Sequence, residues 1–371
     1  GVRSALRGAF LGEFRNRLLT SFRFDHIMRD LLLSITLLLA SFAQATDYHV
    51  SPSGNDSNNG TTASTAWRTI DRVNQSTYSY GPGDRILFER GGTYHGEVIL
   101  GTSGTASQPI TVGAYGTGEL PVILGSEPLT GWAIYQGHIW KANVSSQVDQ
   151  VYMNDQRMTP ARYPNSGWLR NSQGGGTQIQ SADLTQPNGY WNGATAVVRS
   201  SSSSFDTLFV TNYSGGTLHF SSSTYNLGSD AWGFFMKGKL SELDSPGEWY
   251  YDKAAQQLYF WAPGNADPNT LSVEASVHPN GVNCYWQRQY LQVENIAFRH
   301  QRLAGVLNDG ANYVTVSGCT FRDLYHGIRS SGLNDTYIGN DFRDTYATAA
   351  LIIDSNTLVS DNSFTDIALL D

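Results

Sequence analysis

Three aspartates recur at matching positions in the C-terminal part of the sequence. Asp323, Asp344 and Asp366 each lie two residues after a phenylalanine, in the segments GCTFRD, GNDFRD and DNSFTD. If these segments stack as strands, residues of one column lie about 4.8 Å apart in adjacent layers and about 9.6 Å apart in alternate layers. Retaining glycosidases hold two carboxyl groups about 5–5.5 Å apart, and inverting enzymes about 6.5–9.5 Å apart. Asp323 with Asp344 would suit the first chemistry, and Asp323 with Asp366 the second.

Basic residues accompany these acids. Arg322 and Arg343 each precede an aspartate, and they are candidate ligands for acidic sugars, together with His326. His300 and His326 lie within one layer of the aspartates and are candidate proton donors or acceptors. Two carboxylates so close together would also raise one pKa, as a general acid requires. We therefore predict three catalytic and three substrate-binding residues: Asp323, Asp344 and Asp366; Arg322, Arg343 and His326.

The same motif also has a structural explanation. An aspartate at the end of a strand accepts backbone N–H bonds in the following turn. The motif returns in every late repeat, whereas active-site residues rarely do. Arg322 and Arg343 would then pair with carboxylates of the ladder. Both explanations remain open from the sequence alone.

The aspartates belong to a longer repeat. Phe298, Phe321, Phe342 and Phe364 follow one another at spacings of 23, 21 and 22 residues, with alternating apolar and polar residues around each. Such alternation indicates strands, and repeats of 20–50 residues indicate solenoids. Since no helical pattern separates the strands, the sequence predicts an all-β, right-handed parallel β-helix with phenylalanine in an interior column.

A column of asparagines is expected beside the phenylalanines. Asn340 and Asn362 lie two residues before a phenylalanine, where they can bond sideways to each other and to the turn backbone. A second apolar strand follows each turn, at 305–308, 327–330 and 350–354. These strands run into Asn312, Asn334 and Asn356 respectively.

The chain divides by composition into four parts. Residues 46–130 are expected to form an N-terminal cap and the first coils, with a short helix around Ile70 and Val73. Residues 131–275 are rich in Trp, Tyr, Ser and Gly and show hairpin patterns, which predicts an inserted antiparallel β domain. Core packing is the favoured role of its aromatic residues, with a sugar-stacking surface as the alternative. Residues 276–371 continue the β-helix.

Residues 1–45 have the features of an export signal. A basic start precedes the apolar run from Leu31 to Ala40, which ends in Ala-Gln-Ala. This pattern predicts a secretory signal peptide and a secreted protein; the run is short for a membrane span. Its removal changes the net charge from −8 to about −11, because it takes away six arginines and three acids. Nucleic acid is therefore an unfavourable partner, and no membrane contact is expected after cleavage.

Metal and disulfide signals are weak. Cys284 and Cys319 would pair after export, but two cysteines do not make a disulfide scaffold, and Cys319 fits a buried thiol. The Asp/Asn-rich loop after Ser51 is a candidate calcium site, but it lacks the spacing of ligands that defines an EF-hand. We expect a monomer that needs no cofactor, with calcium as the one open possibility.

Two segments of the insertion carry a family resemblance. VYMNDQRMTPARYPN (151–165) and GEWYYDKAAQQLYFWAPG (247–264), followed by β-helix coils, resemble glycoside hydrolase family 141. The opening YHVSPSGNDSNNGTTASTAWRTI is similar to that of secreted enzymes of the pectate-lyase-like superfamily. The resemblance implies hydrolysis of plant or algal polysaccharide. It also implies catalytic acids in coils beyond residue 371, so we expect this chain to be the N-terminal portion of a longer protein and to lack part of the active site.

Two other functions are open. A polysaccharide lyase shares the fold but needs a Lys or Arg base beside a uronate. No lysine follows Lys253, so the coils would have to use one of four arginines: Arg302, Arg322, Arg329 or Arg343. A non-catalytic glycan-binding β-helix would not need the insertion, which in an enzyme would wall one side of a substrate groove.

Overall fold

The computed structural model describes residues 45–201, 205–223, 227 and 232–368, so the predicted signal peptide lies almost entirely outside the described residues. The chain begins its regular structure with one helix and six strands: β1 (Asp47–Val50), α1 (Ile70–Asn74), β2 (Arg85–Glu89), β3 (Thr93–His95), β4 (Val98–Leu100), β5 (Ile110–Tyr115) and β6 (Val122–Leu124). The predicted helix is confirmed. Its N-cap, Thr69, accepts a hydrogen bond from Arg72 N at 3.2 Å, and Ile70 and Val73 are buried.

Sixteen strands follow within the insertion. They are β7 (Ser126–Pro128), β8 (Ala133–Gln136), β9 (Ile139–Asn143), β10 (Val151–Met153), β11 (Gln156–Arg157), β12 (Thr159–Pro160), β13 (Arg162–Tyr163), β14 (Gln173–Gly175), β15 (Gln178–Gln180), β16 (Thr195–Arg199), β17 (Phe205–Ser214), β18 (Thr217–Phe220), β19 (Phe234–Lys237), β20 (Glu248–Asp252), β21 (Gln257–Phe260) and β22 (Val273–Ser276). They form three sheets, in the orders β11-β10-β22-β7, β12-β20-β21-β9-β8 and β13-β19-β16-β17-β18-β15-β14. All pairs except β12–β20 are antiparallel.

The remaining strands return to the β-helix. They are β23 (Asn280–Cys284), β24 (Gln289–Glu294), β25 (Ala297–Arg299), β26 (Ala304–Asn308), β27 (Asn312–Ser317), β28 (Thr320–Arg322), β29 (His326–Ser330), β30 (Thr336–Ile338), β31 (Asp341–Thr345), β32 (Thr348–Ile352), β33 (Leu358–Ser360) and β34 (Ser363–Ile367). Short 3₁₀ helices occur at Ala63–Thr65, Leu240–Glu242, Pro263–Asn265 and Pro268–Thr270.

Three parallel sheets build the β-helix. The first has the order β1-β2-β5-β24-β27-β30-β33, the second β3-β6-β25-β28-β31-β34 and the third β4-β23-β26-β29-β32. Each coil passes from the first sheet to the second and then to the third, which confirms the predicted right-handed parallel β-helix with an inserted β domain. The insertion leaves after β6 and returns at β23. It therefore emerges from the corner between the second and third sheets.

The phenylalanine column is confirmed as the centre of the β-helix core. Phe298, Phe321 and Phe342 are buried, and their rings stack in sequence with centroids 5.2 and 4.7 Å apart. Phe364 continues the stack at 5.1 Å, but it is half exposed. Gly305 leaves room for this column, since a Cβ there would lie 2.5 Å from the ring of Phe321.

The predicted asparagine column is confirmed. Asn340 Nδ2 donates to Asn362 Oδ1 at 3.0 Å and to Val316 O, as expected. Asn312, however, lies beside Leu333 and not beside Asn334. The left-handed corner position belongs to Tyr313, Asn334 and Asn356, with φ of 58°, 61° and 57°. This coil is therefore one residue shorter than the spacing of asparagines suggested.

Most large aromatic residues of the insertion are core residues. Trp191 and Phe234 are buried in one cluster, and Trp132, Trp249 and Phe260 in another. Core packing therefore explains them, as the sequence favoured. Cys284 and Cys319 are free, buried thiols, so the disulfide alternative is wrong. Within the described residues, no helix has the length and apolar content to cross a lipid bilayer.

A buried carboxyl group, Asp335, and a half-buried one, Asp354, share a hydrogen-bond network at the corner between the third and first sheets. Asp335 Oδ2 accepts from Asn308 Nδ2 at 2.8 Å, and the hydroxyl of Tyr337 lies within bonding distance of Asp335 and Asp354. Burial, reinforced by the charge of Asp354, raises the pKa of Asp335 to about 7 from an ordinary 3.8. A raised carboxyl pKa stabilises the fold below the ordinary pKa, and this stabilisation is lost as the pH rises to about 7.

We expect Asp354→Asn to weaken that dependence, because it removes the charge that helps to hold the proton on Asp335. The free energy of unfolding of the variant, relative to the parent, should rise between pH 4 and pH 7. Urea unfolding at several pH values measures it. Asp361→Asn, in the same coil but outside the network, should show no such trend. A difference for Asp354→Asn that stays flat with pH would contradict the assignment.

Candidate functional site

The predicted catalytic aspartates occupy one backbone corner of the β-helix. Asp323, Asp344 and Asp366 have φ of 52°, 51° and 51°, and His300 holds the same place in the preceding coil with φ 66°. Asp, Asn and His tolerate this left-handed region better than other non-glycine residues. The corner conformation therefore accounts for the repeated residue type, and the side chains must be judged by what they contact. We call this column the acidic corner.

The structure brings two of the three aspartates together. Arg322 Nε lies 3.0 Å from Asp323 Oδ2 and 3.5 Å from Asp344 Oδ2. The two Oδ2 atoms are thus no further apart than the sum of these distances, about 6.5 Å, which admits the spacing of retaining enzymes. The side chain of Asp344 is 34 % exposed and that of Asp323 only 14 %. Asp366 is exposed one coil further along.

The two carboxyl groups differ in environment. Burial raises the pKa of Asp323, and the nearby charges of Arg322 and His300 oppose that rise. Asp344 is more open to solvent. Two neighbouring carboxyl groups in unequal surroundings can divide the roles of proton donor and ionised partner.

A hairpin of the insertion packs against this corner. Between β10 and β11, Asp155 forms an ion pair with Arg299, and its carboxylate lies 3.3 Å from His300 Nε2. The hydroxyl of Tyr152 donates to Asp323 O at 2.8 Å, and its ring stacks on His300 with centroids 3.5 Å apart. These contacts fix the insertion on the coil that carries Asp323.

His300 is buried and takes part in contacts that join the insertion to the β-helix. Its Nδ1 lies 2.9 Å from Ser126 Oγ, which donates to Glu274 Oε2 at 2.6 Å. Because the serine hydrogen is used, we assign the Nδ1 hydrogen to the histidine as donor. The hydrogen bond to His300 lowers the pKa of Glu274. The set resembles a Ser-His-acid triad in composition, but Ser126 and His300 are buried, so it joins β7 and β22 to the coils and cannot reach a substrate.

A cleft of about 470 Å³ lies between the insertion and the late coils, next to the acidic corner. Tyr325 and Tyr346 line it from the β-helix. The hydroxyl of Tyr346 lies 2.5 Å from that of Tyr152, and Asp323 and Asp344 help to raise the pKa of Tyr346, after burial. Tyr325 and Tyr346 follow Asp323 and Asp344 by two residues, and the two aspartates themselves are not part of the cleft lining. We call this space the interdomain cleft.

The opposite wall of the interdomain cleft comes from the insertion. It includes Phe205, Phe235, Lys237 and Arg157. Arg157 places its guanidinium carbon 4.5 Å from the ring centroid of Tyr346, across from the β-helix wall. Burial lowers the pKa of Lys237. The sequence did not predict this wall, because only the coils were considered as the source of a lysine base.

The remaining predicted binding residues lie apart from the carboxylate pair. Arg343 Nε binds Asp341 at 2.8 Å, and not Asp344. His326 is buried with its Nδ1 2.6 Å from Thr348 Oγ1, behind the cleft wall. Burial, with the charge of Arg329, lowers the pKa of His326 to about 4, so its ring is neutral at pH 7. Of the predicted basic residues, Arg322 alone bridges the two acids in the part of the chain described.

A second cavity, of about 510 Å³, lies on the outer part of the insertion. Tyr135, His138 and Trp261 line it, and His138 stacks on Trp261 with centroids 5.6 Å apart. Among the described residues, its lining includes no acidic side chain. It can hold a sugar ring but has no pair of carboxyl groups nearby in its lining, which makes the interdomain cleft the better candidate for glycoside hydrolysis despite its similar volume.

The candidate calcium loop uses its oxygens internally. Both carboxylate oxygens of Asp56 accept hydrogen bonds from Arg68 or Thr69, and Asn59 Oδ1 accepts from Thr61 and Thr65. Across the described residues, no group of three or more His, Cys, Asp or Glu side chains is arranged to hold a metal ion.

Comparison with known proteins identifies similar folds. No protein-family model and no curated protein matches the sequence. A solved structure described as a glycoside hydrolase superposes with a TM-score of 0.66 and 16 % identity, over 83 % of this chain and 67 % of its own. The complex of XylC with xylose superposes with a TM-score of 0.57 and 15 % identity, over 88 % of this chain and 54 % of its own. This chain thus spans about two thirds of the first structure and about half of the second.

Proposed function

We propose that this protein is a secreted carbohydrate-active enzyme, and that it hydrolyses glycosidic bonds of a plant or algal polysaccharide held in the interdomain cleft. The observation that carries the proposal is that the Asp323–Asp344 pair, although outside the cleft lining itself, lies two residues before Tyr325 and Tyr346, which form an aromatic wall of the cleft. Aromatic side chains offer flat apolar faces to sugar rings, and paired carboxyl groups are the usual catalysts of glycoside hydrolysis. The resemblance to glycoside hydrolase family 141 supports the same reaction class.

Within the pair, we assign the proton to Asp323 and the negative charge to Asp344. Burial raises the pKa of Asp323, so it keeps a proton to higher pH and can give it to the leaving oxygen. Asp344 is the more exposed carboxylate and would attack the anomeric carbon or stabilise its charge. Arg322 would hold both groups in place through its Nε. Cleavage should then slow as the pH rises through the pKa of Asp323.

A polysaccharide lyase is the second candidate, and Lys237 favours it. The coils lack lysine, but the insertion places Lys237 in the interdomain cleft, where burial lowers its pKa. A lysine that loses its proton more readily is a better base near neutral pH. It would remove the proton next to a uronate carboxylate, and Arg157 would neutralise that carboxylate.

Product analysis separates these functions. The protein is incubated with xylan, a fucosylated glycan and polygalacturonate. The release of reducing ends and the absorbance at about 235 nm are followed, because elimination creates an unsaturated product that absorbs there. Reducing ends without that absorbance support hydrolysis. Absorbance that rises with reducing ends supports elimination and overturns the hydrolase proposal. Binding to these glycans without either product would point to a glycan-binding protein.

A further inference from the structure

The interdomain cleft has an unusual charge for this protein. The whole chain carries a net charge of −8, yet among the described residues of the cleft lining Arg157, Arg162 and Lys237 face a single acid, Asp149. That acid already forms an ion pair with Arg302 at 3.1 Å. The cleft therefore presents a positive surface on an acidic molecule.

Among the three cations of the cleft, Lys237 has the fewest hydrogen-bond and ion-pair partners in the described protein. It lies on β19, opposite Arg162 of β13. Its ammonium makes no hydrogen bond or ion pair with the described residues, and Asp149 acts on it only at longer range. The side chain of Lys237 is half-buried, and partial desolvation of a cation without a close partner costs free energy, so the ammonium is available to a ligand in the cleft.

The neighbouring cations differ in what they do. Arg162 donates to the carbonyl groups of Pro164 and Gly167 and lies over the ring of Phe235, so it holds the loop beyond β13. Arg157 lies over Tyr346 at the cleft wall. A planar guanidinium in that position can bind a carboxylate or sulfate oxygen pair, and an ammonium can add a second charge contact.

We propose that the interdomain cleft binds an anionic saccharide, one that bears carboxylate or sulfate groups, and that Lys237 and Arg157 determine this specificity by contacting the acidic group. The inference rests on the proposed function, because it assumes that a saccharide enters this cleft. Tyr325 and Phe205, both partly exposed, provide the apolar faces on which the sugar rings lie. Asp149 faces the same space, but Arg302 compensates its charge. The net charge of the described cleft lining therefore stays positive.

Calorimetric titration of three oligosaccharides of equal length tests the proposal: an oligogalacturonate, a sulfated galactan oligosaccharide and a neutral xylo-oligosaccharide. We expect one or both anionic ligands to bind at least about tenfold more tightly than the neutral one, since a charged hydrogen bond contributes that much or more. The preference should weaken with added salt. Which anionic ligand binds separates a uronate from a sulfate ester.

Variants locate the effect. Lys237→Met keeps the length of the side chain and removes a half-buried charge that has no close partner, so the fold should be about as stable as before. It should lower affinity for the anionic ligand about tenfold or more and leave the neutral ligand unchanged. Lys237→Arg should retain the preference. The control is Lys239→Met, whose ammonium donates to Asn192 O at 3.0 Å outside the cleft lining, and it should change nothing.

Equal affinity for all three ligands, or an anionic preference that survives Lys237→Met, overturns the inference. If the protein still cleaves a neutral glycan, the proposed function stands while the inference falls. If no saccharide binds and no product forms, both fall.

Discussion

Phe321→Ala is expected to destabilise the protein by about 3–5 kcal/mol, which is typical of a fully buried phenylalanine replaced by alanine. The ring is buried between Phe298 and Phe342, with centroids at 5.2 and 4.7 Å. Neighbouring coils are hydrogen-bonded on both sides and cannot collapse freely into the space, so a cavity should persist. Chemical unfolding followed by circular dichroism measures the loss. Phe321→Leu, which fills part of the space, should lose less.

Phe364→Ala is the matched control. The ring belongs to the same column, but it is 52 % exposed and stacks on Phe342 alone among the described phenylalanines. Its removal should cost about 1 kcal/mol or less, as for most surface substitutions. Equal losses for Phe321→Ala and Phe364→Ala would mean that the stack is not the centre of the core.

Asp344→Asn is expected to lower kcat/KM for the cleaved glycan by about 10²–10³-fold or more, because it removes the negative charge that attacks or stabilises the anomeric carbon in the transition state. Asparagine tolerates the left-handed corner as aspartate does, and it keeps the shape of the side chain. The substitution should therefore remove the charge without disturbing the coil, and the unfolding midpoint should stay close to that of the parent. Initial rates of reducing-end release measure the effect.

Asp366→Asn separates chemistry from backbone geometry. It lies at the same corner with φ 51°, but Arg322 binds the other two carboxylates. We expect its rates to change only a few-fold, well below the effect of a lost acid–base group. Full activity of Asp344→Asn would show that the catalytic acids lie outside the described coils, as the family resemblance implies.

The fold was predictable because each coil of a solenoid repeats the same structural positions, so that the coil length appears as a regular spacing in the sequence. Phe321 and Phe342 occupy the same interior position of successive coils, so their spacing is the length of a coil. Asn340 and Asn362 recur because each must satisfy the turn of its neighbour. The coils differ in length, since the phenylalanines are 23, 21 and 22 residues apart, and Asn312 therefore lies beside Leu333 and not beside Asn334.

The candidate site was predictable only in part. The column of Asp323 and Asp344 followed from the coil spacing, but their shared contact with Arg322 depends on side-chain directions. The interdomain cleft joins residues far apart in the chain, such as Arg157 and Tyr346. Nothing in the repeat indicates where an inserted domain packs, so Lys237 gave no signal.

A crystal structure of Asp344→Asn with a bound oligosaccharide of the cleaved glycan tests the central proposal most directly, because the slow variant should retain the uncleaved ligand. Our proposal predicts a sugar chain in the interdomain cleft, with a ring against Tyr325 or Tyr346 and a glycosidic oxygen within hydrogen-bonding distance of Asp323. A saccharide bound only at the outer cavity beside Tyr135 and Trp261, with the interdomain cleft filled by water, would contradict it.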